Sequence, residues 1–270
     1  MRAWKVSLAL ILGLGCASGG SRGPTFEYQP TSGPARYSMA ADNTILVETP
    51  MGLQESGDST RATVAITIGA AVEGGREVTA TYEALTIWLT GAATGKTEGG
   101  SLIDQPMSGT LLPSGRIEFA TDIEPLNGLF DSQAALADFL VPMPDDGNTA
   151  QRWQISRTTT SEGVFDVTST FEGFGQIVGD TVWNGRPAKV IRVDGDITEE
   201  GSGQPAESPA PIEFRFTGST TAIYVWDHNA GLMLAAVSSA ELQGPMTLVG
   251  FGMTMQATTE VTGRIQLIQE

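Results

Sequence analysis

One cysteine and one histidine in 270 residues leave the chain almost nothing with which to ligate a metal. That pair cannot furnish a structural zinc site, and a single cysteine cannot form a disulfide framework. Positive charge is equally scarce: 15 Lys+Arg stand against 31 Asp+Glu, for a formal net charge of −16. The basic patch that nucleic-acid binding requires is therefore missing. Long apolar runs are absent too, none approaching the roughly 20 residues that a membrane-spanning helix needs. No metal, cofactor or nucleic-acid partner is expected.

What the chain does have is 40% hydrophobic residues, enough for a core, and 33 glycines. Leucine at helical spacing is rare, whereas Thr, Val and Ile alternate between glycine turns. The expected fold is all-β and mainly antiparallel, an open barrel or curved sheets, with one short helix near the middle. No site for catalysis stands out.

The N-terminus is an address. Arg2 and Lys5 precede the apolar stretch Val6–Leu14, too short to span a bilayer, so residues 1–15 read as a signal peptide. The following Leu12-Gly-Leu-Gly-Cys16 resembles the lipobox of bacterial lipoproteins, although Gly13 sits where that family usually has Leu. The resemblance implies that Cys16 becomes the first mature residue and carries a diacylglyceryl thioether. Two or more acyl chains, at about 0.8 kcal/mol per buried methylene, anchor a protein stably. Ala17 and Ser18 stand where an Asp would retain a lipoprotein at the inner membrane, so the resemblance favours the outer membrane, facing the periplasm. Residues 16–35, rich in Gly, Ser and Pro, read as the lipidated cysteine and a flexible tether. Loss of Arg2 and Lys5 takes the formal charge from −16 to −18, so the membrane is a partner through the anchor and not through the surface.

Residues 36–268 read as the β-rich domain, either one unit or two similar halves, 36–130 and 151–268, joined by a helix-containing linker, 131–150. Gly109 to Ala120 reads as a hairpin around Pro113-Ser-Gly115. Asn184-Gly185 is the strongest turn signal, because a type I′ turn needs positive φ at both central residues. Asp131-Ser-Gln-Ala-Ala-Leu-Ala-Asp-Phe-Leu140 is the credible helix, N-capped by Asp131 or Ser132 and ended by Val141-Pro-Met-Pro144. It either links two sheets or lies against one. Residues 198–211 read as a long polar loop. At the C-terminus Val249, Phe251, Met253, Met255, Ala257, Val261, Ile265 and Leu267 share one parity, giving a dry face opposite a wet one. A straight run of that length would reach about 60 Å at 3.3 Å per residue, so a bend is expected at Gly250, Gly252 or Gly263.

Chemistry-bearing residues are few. His228, beside Asp227, is the one side chain ready to act as a base near neutral pH, but without a nucleophile elbow it reads as a hairpin-turn residue. Asp194, Asp196, Glu199 and Glu200 mimic a calcium loop yet fail its template at positions six and twelve. Gly173-Phe-Gly175 lacks the following helix that a phosphate loop requires. Asp145-Asp146 is an adjacent carboxylate pair in a loop. Val249, Phe251, Met253 and Met255 are the candidate ligand-facing apolar residues, since Met adapts to varied shapes, with plain core as the competing reading.

The lipobox, the β half, the short helix, the strand starting at Trp153 and the Asn-Gly hairpin together make the chain similar to a family of uncharacterised bacterial β-rich lipoproteins. The likeness spans most of residues 36–268 and implies no activity. A more distant analogy is the open β-barrel of the outer-membrane lipoprotein carrier and receptor, whose concave face holds acyl chains. The expected role is non-catalytic: a lipid-anchored envelope protein that binds an apolar small molecule or an envelope protein. The alternative is a periplasmic hydrolase using paired carboxylates.

Overall fold

The computed structural model describes residues 26–269 other than 92–93, 122, 124, 127–129, 145, 150 and 206–207. Twelve strands form one sheet: β1 (Ala35–Thr49), β2 (Gly52–Val72), β3 (Gly75–Thr90), β4 (Gly95–Glu98), β5 (Pro106–Leu111), β6 (Ile117–Phe119), β7 (Trp153–Ser161), β8 (Phe165–Trp183), β9 (Arg186–Gly203), β10 (Ile212–Asp227), β11 (Leu232–Leu248) and β12 (Met253–Gln269). The order is β6-β5-β3-β2-β1-β12-β11-β10-β9-β8-β7, with β4 on β3. Every pairing of named strands is antiparallel. The all-β expectation holds, and the two halves share one sheet rather than forming two. They meet where β1 pairs β12, from Arg36 opposite Gln269 to Val47 opposite Ala257.

The sheet is not closed, for among the described residues β6 and β7 do not pair. The chain must still pass from one edge to the other, and it does so across the inner face. There α1 (Ser132–Leu136) and a 3-10 turn (Ala137–Phe139) form, and Asp131 caps the helix by accepting from the Gln133 and Ala134 amides. Leu136, Phe139, Leu140, Val141 and Met143 are buried in one core with Tyr37, Val64 and Tyr82 from the first half and Trp153, Ile191 and Trp226 from the second. The linker thus lies against one sheet.

Aromatic side chains lock this crossover in place. The Tyr82 hydroxyl donates to the Ser132 carbonyl at 2.9 Å, Tyr28 to Val141 at 2.8 Å, and the Trp153 indole to Pro142 at 3.1 Å. Burying each large apolar side chain contributes about 1.5–3 kcal/mol, against about 0.5–1.5 for one hydrogen bond. Packing therefore seats the crossover, while the directional bonds select its register. Trp153 fits because Gly175 faces it across the β7–β8 pair, where any side chain would run into the indole.

Three expectations need correction. Residues 26–34 do not all belong to a loose tether, since Phe26 and Tyr28 are buried in the core. Residues 198–203 are strand, not loop: β9 runs to Gly203 because both β8 and β10 pair with it along this stretch, so its polar residues gain two ladders. The apolar stripe does not start as a strand at Val249, for Val249–Phe251 is a 3-10 turn ending in left-handed Gly252 (φ 58°), and β12 begins at Met253. The bend thus falls at the expected glycines, while Gly263 lies within a continuous strand. Asn184 (φ 48°) and Gly185 (φ 82°) form the expected turn between β8 and β9. Gly109 to Ala120 is the β5–β6 hairpin.

Candidate functional site

The crossover does not fill the inner face completely. Between it and β7–β12 lies a cavity of about 330 Å³. Its origin is small residues facing each other: Ala134 and Ala137 on the crossover, Ala222, Ser238 and Ala240 on β10 and β11. The hollow is half open to solvent, with Asp138 and Ser238 on its wall exposed, and its volume is at the lower end of the range for small-molecule sites. Hollows of about 390 and 510 Å³ also exist, but they are open grooves on the outer face, bordered by Ser, Thr, Arg and Asp.

The cavity wall is mixed. Ile155, Phe171, Val193, Ile197, Leu242 and Val261 supply apolar surface, and Asp138, Arg157, Glu199 and Tyr224 supply titratable groups. Asp138 follows the capped helix, and the crossover aims it into the cavity. Its side chain is exposed to the open space of the cavity, with protein groups crowded around it. That crowding raises its carboxyl to about 6, against the Arg157 guanidinium, which pulls it down. Burial also raises Glu199. The Tyr224 hydroxyl is raised by burial first and by Asp138 second, with Arg157 opposing.

The residues singled out in the sequence fall elsewhere. Cys16 and Asp145 lie outside the described residues. His228 is exposed in the β10–β11 turn, and Asp227 does not orient it. Asp227 instead accepts from the Asn229 and Ala230 amides and pairs with Arg186 at 2.6 Å, which together hold its carboxyl low despite desolvation. The apparent calcium cluster is split by the pleat of β9. Asp194 is engaged by Arg192 and Thr221 on the outer face, while Glu199 points inward. Gly173 and Gly175 are strand residues beneath Phe171 and Trp153. Val249, Phe251 and Met253 are exposed, and Met255 is half-buried, beyond the cavity along β12.

No family model matches the chain, and no curated protein matches it. Among solved structures, a domain described as an outer membrane lipoprotein-sorting protein from Vibrio parahaemolyticus is 9% identical over 87% of each chain, with a TM-score of 0.16. OmpT of Vibrio cholerae, an outer membrane protein, is 10% identical over 90% of this chain and 99% of its own, with a TM-score of 0.17, and its trimer form gives 0.16. Scores this low do not establish a common fold.

Asp138, Arg157, Glu199 and Tyr224 were missed in the sequence because no short motif joins them. Asp138 alone carried a signal, as the one acid inside the helical segment. Its raised carboxyl makes a definite prediction. The folded state holds this proton up to about pH 6, whereas the unfolded chain releases it near pH 4. Between those values the folded state binds more protons, so the contribution of Asp138 to stability falls as pH rises and then levels off. Urea unfolding measured from pH 4 to pH 7 is expected to show that decline in the native protein and a shallower one in Asp138→Asn; equal slopes would remove Asp138 from the account.

Proposed function

We propose that this chain is a lipoprotein of the bacterial envelope, anchored through Cys16 at the outer membrane and facing the periplasm, that binds an apolar small molecule without transforming it. The observation that carries the reading is the cavity between crossover and inner face, left open by facing Ala and Ser residues in an otherwise packed core. Its apolar walls suit a hydrophobic body, and its few polar groups suit the orientation of one polar end. The lipid anchor rests on the lipobox resemblance at Leu12–Cys16.

A hydrolase using two carboxylates has one observation in its favour, namely that Asp138 and Glu199 border the same cavity. Such chemistry needs the two pushed apart, one protonated and the other ionised. Burial moves both in the same direction, which argues for binding over catalysis.

The apolar probe N-phenyl-1-naphthylamine tests the cavity. Its fluorescence is expected to rise on binding the native protein, with affinity at least tenfold weaker in Ala222→Trp and unchanged in Val182→Ser, an exposed site away from the cavity. Ala137→Phe fills the same space from the crossover side, should Ala222→Trp fail to fold. Absence of binding, or equal binding by a folded cavity-filled variant, would overturn the reading. For the anchor, the N-terminal peptide of protein from its own membranes should carry acyl-chain mass at Cys16; a Cys16→Ser protein that still fractionates with membranes would contradict it.

A further inference from the structure

Large apolar side chains crowd one end of the sheet. Met51, Leu53, Val249, Phe251 and Met253 are 88, 65, 45, 64 and 42% exposed. They sit on two turns, β1–β2 and β11–β12, which the β1–β12 pairing brings side by side. The described chain begins at the other end, where the Gln29 amide donates to Gly231 in the β10–β11 turn. The second turn is a built feature, for its Val249 amide donates to Pro211 at 2.9 Å and Gly252 closes it with a positive φ.

Charge sets this end apart. On a chain of net charge −16, no residue from Leu242 to Thr259 is charged, nor is any from Thr49 to Gln54. Glu48, Glu55, Glu241 and Glu260 flank those stretches. Two protruding apolar turns without the Trp, Tyr and Arg of protein hot spots fit a bilayer interface better than a partner protein. The flanking glutamates would be repelled by anionic headgroups, so the matching surface is zwitterionic.

The inner face connects this end to the cavity. Phe214 stacks on Phe216 at 4.9 Å, and Phe216 packs with Leu242 and Ala257 in a separate apolar cluster. Leu242 belongs to that cluster and to the cavity wall alike.

We propose that the paired β1–β2 and β11–β12 turns are a membrane-contacting tip that dips into the interface of a zwitterionic bilayer, at the end of the sheet away from the N-terminal tether. This goes beyond the binding reading and stands without it, since a tip can enter lipid whether or not the cavity takes a ligand. The test uses the full chain with Cys16→Ser, so that Met51→Cys, Phe251→Cys or Val182→Cys supplies a single thiol for an environment-sensitive NBD label. Val182 is exposed at the opposite end of the sheet, so attachment through the N-terminus does not mimic the tip signal. With phosphatidylcholine vesicles, the emission at 51 and 251 is expected to shift blue and to be quenched by spin-labelled lipid, with neither change at 182. No shift at 51 and 251, or the same shift at 182, would overturn the proposal. A shift at 251 that needs no vesicles and grows with protein concentration would overturn it in favour of a second copy covering the tip.

Discussion

A sheet whose edge strands do not meet must be held curved by something other than its own ladder. In this chain that task falls to the β6–β7 crossover, because the strand order places those strands at opposite edges and the connection must traverse the inner face. Its apolar side chains join both halves into one core, and three aromatic donors fix its backbone by binding the Ser132, Val141 and Pro142 carbonyls. The backbone of an irregular segment buried this deeply needs partners for its carbonyls, and the phenol and indole groups supply them without breaking the apolar surface. The terminal strands β1 and β12 pair at mid-sheet, so the crossover is the one connection that spans the whole width.

The same crossover decides where the inner face is filled and where it is not. Towards the β2–β3 and β10–β11 turns, its Leu136, Phe139 and Val141 pack against Tyr37, Tyr82 and Trp226. Over β7–β12 it presents alanines and Asp138 to alanines and serines, and a cavity remains. Beyond it lies the separate cluster of Phe216, Leu242 and Ala257, and then the apolar tip. Charge follows an opposite gradient: the outer face carries exposed ion pairs such as Arg61–Asp42 and Arg215–Glu200, which contribute little to stability and much to solubility.

Legibility in the sequence tracked how local the determining physics is. Asn184-Gly185 and the Asp131 cap were readable because a turn conformation or an orphan helix amide is answered by residues next to it in the chain. Thr198–Gly203 was misread because its polar composition suits a loop, and only pairing with both β8 and β10 makes it strand. The stripe from Met253 was readable by parity, but the turn at Val249–Phe251 interrupts it before that parity reaches Phe251. The cavity was hidden for a third reason. Which of Asp194, Asp196 and Glu199 faces inward depends on the pleat of β9 within the assembled sheet, and that Arg157 lies near Asp138 depends on the crossover path.

The central claim is that aromatic side chains of the sheet and of the segment before β1 hold the crossover over the inner face. Hydrogen exchange of Tyr82→Phe tests it most directly, because the substitution deletes one donor and leaves the Ser132 carbonyl buried. Loss of about 1–3 kcal/mol is expected from such an unpaired group, or about five- to 150-fold in local protection. The account predicts that amides of residues 133–143 lose this protection while those of β9 to β12 keep theirs. Unchanged exchange across 133–143 would contradict it.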